Sequence, residues 1–381
     1  MDEVFIIDAI RTPIGSFMGQ YKKIESVNLG ISCIEGIFDR NKNIEKKSIE
    51  GIILGQVLTA GLGMNTSRQV LLKSGLSRNS FAYCVNQVCG SGMRAVIDTS
   101  IRIKSNENQL LIAGGQENMS LARHTSLFRK GIKLGNVTMV DSILSDGLTD
   151  VFSKEHMGMT AENVAKKYKV SRKQQDKFAI NSYKKAYKAT KNNYFKNELI
   201  DTNFNDEFRQ DTDLKKLSNL KPVFKSGGTV TAGNSSSLND GASMILLGSQ
   251  KYCKKNNIKP IAKIIGWADS AGDPDYMGIT PIKAIGNLMK KLKVNIDFFD
   301  LIEVNEAFSA TSVAVETELG IDSKKLNICG GSIALGHPIG CSGARIITTL
   351  VHQLKRIKKK YGAASMCIGG GQGLAVAVEI I

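Results

Sequence analysis

Short apolar runs alternate with helical stripes of apolar residues at both ends of the chain. Residues 51–54, 110–113, 301–304, 365–368 and 374–378 are such runs, too brief for helices, and they predict buried strands. Ile346, Ile347, Leu350, Val351, Leu354 and Ile357 fall on one stripe with Gly362 beyond it, which predicts an amphipathic helix after residue 341. Strands alternating with such helices imply mixed α/β layers.

From about residue 123 to 219 the pattern changes. This stretch is dense in Lys, Asn, Asp and aromatics with few apolar runs, and reads as an insertion. Within it Ser171 and Gln174 form a capping box, followed by Phe178, Ala179, Tyr183, Ala186 and Tyr187 at helical spacing. A stretch rich in Gly and Ser, residues 226–237, closes the insertion with backbone able to approach a ligand or act as a linker. Outside it the two ends echo each other. Ser91-Gly92-Met93-Arg94 matches Ser342-Gly343-Ala344-Arg345, and Ile112-Ala113-Gly114-Gly115-Gln116 matches Ile368-Gly369-Gly370-Gly371-Gln372, in the same order. Two related α/β halves are implied.

The chain has 381 residues, 42% hydrophobic and 23% charged, enough for two or three domains and unlike a disordered or fibrous sequence. No apolar run reaches the length of a membrane helix and the acidic start is unlike a secretion signal, so a cytoplasmic location with no membrane partner is expected. The excess of 51 Lys and Arg over 35 Asp and Glu, a net +16, favours a polyanionic partner. Its densest run, residues 355–360, ends the amphipathic helix, where cations suit the helix dipole, and lacks interleaved aromatics. Nucleic acid is therefore not the expected partner. Seven cysteines with no CxxC pair and only four histidines fit neither a disulfide framework nor a metal site.

Cys89 lies between an apolar strand and a helix, flanked by Gly90 and Gly92, where the partial positive charge of a helix N-terminus favours a thiolate nucleophile. Cys33, Cys84, Cys253 and Cys329 lack such surroundings and are expected in the core. His337 sits in a glycine-rich loop and is a candidate general base, whereas His352 is expected on a helix surface. Cys367 ends a strand before Gly369-Gly370-Gly371, whose backbone N–H groups could hold an oxyanion; a strand rather than a helix follows, which disfavours a dinucleotide loop. Asn305 and Glu306 follow another strand. The segment 340–344 misses the serine-hydrolase elbow because Ala344 replaces its last glycine.

Together these blocks resemble the thiolases. Val-Cys-Gly-Ser-Gly around Cys89, Asn305-Glu306-Ala307-Phe308, Gly336-His337-Pro338 and Cys367-Ile368-Gly369-Gly370-Gly371 are similar to that family's signatures, in its order, and the likeness runs nearly end to end. The resemblance implies a duplicated five-layered αβαβα core with an inserted loop domain. Residues 1–118 and 239–260 would form the N-terminal half, 119–238 the CoA-binding loop domain and 261–381 the C-terminal half. It implies an acetyl-CoA C-acetyltransferase acting through a Cys89 acyl-enzyme. His337 would take the thiol proton, Cys367 would remove an α-proton, and Asn305 and the N–H groups of Cys89 and Gly369 would serve oxyanions. His156, Met157, Ser236, Ala307 and Phe308 would line the pantetheine tunnel. Acyl-CoA and CoA are the implied partners, with no cofactor or metal, and a homodimer or homotetramer is expected. A degradative 3-ketoacyl-CoA thiolase for longer chains is the alternative, and a silent basic scaffold the remote one. A decarboxylating ketoacyl synthase would pair its Cys with His-His or His-Asn instead. The segment departs from the family pattern at Met64 and Ser237.

Overall fold

Val4–Arg11 (β1) is buried along its whole length, and a bulge between Ile6 and Asp8 switches its facing pattern. Val4, Ile6 and Ala9 turn to one side, Phe5, Ile7 and Ile10 to the other. A strand covered on both faces needs helices above and below it. The computed structural model, which describes residues 2–381, supplies them. The further strands are Gly51–Gly55 (β2), Phe81–Val85 (β3), Leu110–Asn118 (β4), Asn239–Ser249 (β5), Ala262–Ala271 (β6), Leu301–Val304 (β7), Tyr361–Ile368 (β8) and Gln372–Ile380 (β9). They form one sheet in the order β7-β8-β9-β6-β1-β5-β4-β2-β3, with the two-residue strand Gly15–Ser16 attached to β5.

Read outward from the β1–β6 junction, the two sides match. β1, β5, β4 and β2 on one side and β6, β9, β8 and β7 on the other follow the same sequence of antiparallel, antiparallel and parallel pairings. Leu326, bridged in parallel to Ile302, stands where β3 stands beside β2. The duplication is thus present in topology. One of the two sequence echoes is in register: Ser91 opens Ser91–Lys104 (α3), Ser342 opens Ser342–Arg356 (α8), and a strand begins 19 residues after each. The glycine echo is not, because Gly114 and Gly115 lie inside β4 while residues 369–371 form the turn between β8 and β9.

Five layers result. Ser26–Arg40 (α1) and Thr66–Lys73 (α2) cover one outer face. Thr280–Leu292 (α6) and Ser309–Leu319 (α7) cover the other. Between the sheet halves lie α3 and α8, with Met93, Val96, Ile346, Leu350 and Val351 meeting Ile245, Leu247, Met366 and Val376 in the central core. A helix inside such a sandwich has no solvent face. This corrects the reading of His352 as a surface residue: it is buried, and its Nε2 lies 2.7 Å from the Ala9 carbonyl oxygen. The other polar members of that face are equally engaged. Thr349 donates to Glu198 at 3.1 Å and Gln353 to the Tyr194 carbonyl at 3.0 Å.

The chain leaves the sheet at Asn118 and returns at Asn239. Between these points lie Met157–Lys167 (α4) and Arg172–Lys191 (α5), the latter opened by the expected Ser171–Gln174 capping box. Arg11 at the end of β1 binds this excursion. Its Nε meets Glu198 Oε1 at 2.6 Å, and its two terminal nitrogens meet Asp206 at 2.7 and 2.9 Å, all buried. Arg11 and Arg345 are the largest fully buried side chains of the molecule. Cys84, expected in the core, is half-buried on the edge strand β3, where its sulfur receives the Ser67 N–H at 3.3 Å.

Candidate active site

The turn from β3 into α3 is strained where it presents Cys89. Val88, a β-branched residue, adopts φ of 46°, a left-handed conformation that such side chains rarely enter. Ser91, the first residue of α3, holds it there by accepting from Gln87 N at 2.9 Å and donating to Val88 O at 2.6 Å. The N–H groups of Gly369 and of Cys89 itself point at the Cys89 sulfur and favour its thiolate. Burial outweighs them and pushes the thiol up to about 11. The helix-start argument for a ready thiolate is corrected accordingly.

Ser342 repeats the Ser91 device in the other half. Its hydroxyl donates to Pro338 O at 2.9 Å and so accepts from His337 Nδ1, 2.6 Å away. The proton thus sits on Nδ1, leaving Nε2 as an acceptor. Asn305 Nδ2 faces that Nε2 at 3.4 Å. Burial above all, and then the charge of Arg345, holds His337 down at about 3, so the imidazole is neutral. The backbone N–H of His337 is fastened to Asn239 Oδ1 at 3.1 Å. Ser237, a departure from the family pattern, donates to the same oxygen at 2.8 Å and accepts the His337 N–H at 3.3 Å.

The Gly340 carbonyl of the His337 loop is seated against backbone. A Cβ on Gly55, Gly92 or Gly115 would lie 2.8, 2.9 or 2.0 Å from the Gly340 carbonyl oxygen, so these three glycines form a notch that receives it. Beside the notch, buried Glu117 accepts from Val57 N, Leu58 N and Gly340 N at 3.0, 3.2 and 3.0 Å. Burial raises its carboxyl to about 7 against these three donors. Cys89 packs at this seam against Val57, Leu58, Met119, Ile143 and Ile339.

Cys367 closes β8 and is almost fully buried. Burial first, and the neighbouring Cys89 second, push its thiol up to about 12, so the two sulfurs sense each other. Around it gather Met157, Ala161, Val230, Met277, Ala307 and Phe308, with Phe224 beside them. The residues matched to a pantetheine tunnel thus meet at one place. The His156 ring stacks on Phe224 with centroids 4.6 Å apart, and Phe224 meets Phe308 edge-on at 6.2 Å. Ser236 joins through its N–H, which donates to Ala307 O at 2.9 Å. Gly370 and Gly371 both have φ above 80°, which shapes the turn that carries the Gly369 N–H.

Sequence reasoning overlooked Phe224, Glu117 and Ser332, whose hydroxyl donates to Asn305 Oδ1 at 2.6 Å. The Ser-Gly-x-Arg echo held the signal for the two clamping serines, since both repeats place that serine just after a candidate catalytic loop. Glu306, by contrast, ties the insertion to the core: it accepts from Ser182 Oγ at 2.6 Å and from Asn327 Nδ2 at 2.8 Å. Among the described residues no group of His, Cys, Asp or Glu is arranged to hold a metal ion, and no helix is long and apolar enough to cross a membrane.

Two thiols and a neutral imidazole with an acceptor nitrogen, beside a buried apolar cluster, are suited to acyl transfer through a thioester. Comparison with known proteins agrees. Residues 4–251 match the thiolase N-terminal domain and residues 258–380 the thiolase C-terminal domain. A probable acetyl-CoA acyltransferase of Staphylococcus aureus strain COL is 42% identical over 392 aligned residues, covering 100% of this chain and 99% of that protein; the protein from strain MW2 matches equally. The crystal structure of the Bacillus anthracis acetyl-CoA acetyltransferase superposes with a TM-score of 0.97 at 35% identity, over 100% of this chain and 99% of the other. Fold, duplication and sequence therefore converge, and the chain belongs to the thiolase family, as an acyltransferase of the thiolase type.

Proposed function

We propose that this thiolase is an acetyl-CoA C-acetyltransferase, joining two acetyl-CoA into acetoacetyl-CoA and CoA and running the reverse thiolysis. The reading is supported by the likeness of the whole chain to an acetyl-CoA acetyltransferase, and by the buried apolar cluster that Cys367 shares with Met157, Met277 and Phe308. In the first step Cys89 Sγ attacks the thioester carbonyl and its proton passes to His337 Nε2. The N–H groups of Cys89 and Gly369, already aimed at that sulfur, receive the oxyanion. The departing CoA thiolate takes the Cys367 proton, leaving an acetyl-enzyme with an imidazolium and a thiolate. The Cys367 thiolate then removes an α-proton from a second acetyl-CoA. Asn305 Nδ2 and protonated His337 face the enolate oxygen, and the carbanion attacks the acetyl group and expels Cys89.

Purified protein assayed with CoA and 3-ketoacyl-CoA esters from four carbons upward tests the reading. Cleavage confined to acetoacetyl-CoA is expected. Comparable rates on long chains would assign the degradative activity instead, and loss of all turnover in Cys89→Ala serves as the control for the nucleophile.

A further inference from the structure

Arg345 presents an energetic puzzle. It is 1% exposed, its Nη1 has no hydrogen-bond partner, and among the described residues it makes no ion pair. Only the charges of Glu303 and Glu198, beyond ion-pair distance, offset the burial of this guanidinium. Among the described residues, its one side-chain hydrogen bond runs from Nη2 to Ser332 Oγ, at 3.0 Å. The Ser332 hydroxyl donates in turn to Asn305 Oδ1 at 2.6 Å, and Asn305 Nδ2 faces His337 Nε2 at 3.4 Å. All four side chains are buried.

The order of donors decides the consequence. A serine hydroxyl can donate or accept, and an asparagine amide can present either end. A guanidinium can only donate. With Arg345 donating into one of its two lone pairs, the Ser332 hydroxyl directs its hydrogen to Asn305 Oδ1, which leaves Nδ2 as the end that faces His337. The internal repeat provides a contrast. Arg94, the counterpart of Arg345, is partly exposed, donates to Gln87 Oε1 at 2.8 Å and pairs with Asp269.

We propose that Arg345 and Ser332 form a positioning relay that fixes the donor end of Asn305 where the enolate oxygen develops. Neither residue touches substrate. The relay delivers a cation's polarity through two hydrogen bonds to a site that must stabilise negative charge only in the second half of the reaction. This rests on the thiolase mechanism proposed above.

The test separates the two halves of the reaction in wild type, Ser332→Ala, Arg345→Met, Asn305→Ala and the Ser332→Ala/Asn305→Ala double variant. Acetylation of Cys89 by acetyl-CoA is followed by mass spectrometry of the Cys89 peptide, and condensation by acetoacetyl-CoA formation. For Ser332→Ala, condensation is expected to fall about 10- to 100-fold, the range for one hydrogen bond serving a charged group, with acetylation kept within about threefold. In the Asn305→Ala background the same change should cost less than about twofold, because the relay then has nothing left to orient. Arg345→Met should show the same division. Parallel loss of both half-reactions in Ser332→Ala, or an undiminished penalty in the double variant, would overturn the relay. A wild-type protein that fails to acetylate Cys89 at all would instead overturn the underlying mechanism.

Discussion

The thiol of Cys89, pushed up to about 11, and the imidazole of His337, held down at about 3, face acyl-CoA as a neutral pair at physiological pH. The nucleophile is then created during attack, by proton transfer, and is not stored beforehand. Alkylation of Cys89 by iodoacetamide should accordingly accelerate about tenfold per pH unit from 7 to 10, following the thiolate fraction. Peptide mass spectrometry distinguishes it from the likewise half-buried Cys84, and a rate already level at pH 7 would contradict the neutral pair. Cys89, His337 and Cys367 could be singled out as candidates in the sequence, because each stands at a glycine-flanked joint between elements. Their protonation could not be read there, because a helix N-terminus visible in sequence favours the thiolate whereas burial, visible only in three dimensions, opposes it more strongly.

At the level of elements, the loops that carry Cys89 and His337 are joined at the notch of Gly55, Gly92 and Gly115 around the Gly340 carbonyl. Gly115→Ala would place a methyl carbon 2.0 Å from that oxygen, backbone against backbone, with no flexible side chain to yield. We expect a destabilisation of at least about 1–3 kcal/mol, as for overpacked cores, and loss of thiolysis in whatever protein remains folded. Denaturant unfolding and acetoacetyl-CoA cleavage measure the two; an unaltered midpoint would show that the loop can shift without cost. The strand runs and the stripe of α8 were readable from periodicity. The back face of α8 was misjudged because its Thr349, His352 and Gln353 are polar in sequence yet satisfied inside the molecule. Periodicity reports which face is most apolar, and a helix in a central layer buries the other face as well.

Over the whole molecule, duplication and insertion were visible as an echo and a change in composition, but the glycine part of the echo proved out of register. What fastens the insertion was also hidden: Arg11, Glu198 and Asp206 are scattered through nearly 200 residues of sequence and meet only after folding. Arg11→Met leaves two buried carboxylates without their cation, so unfolding free energy should drop by about 3–5 kcal/mol. Faster proteolysis between β4 and β5 should accompany the lower denaturant midpoint, and wild-type values for both would dismiss the anchor.

The notch bears on how such an enzyme can change. Because the Gly340 carbonyl is seated main chain to main chain, while the apolar cluster around Cys367 is built from exchangeable side chains such as Met157, Met277 and Phe308, the joint between the halves and that cluster can vary separately. Substitution in the cluster can proceed one residue at a time without touching the notch that joins the two halves, so variation lies within reach of single steps from a folded, working protein.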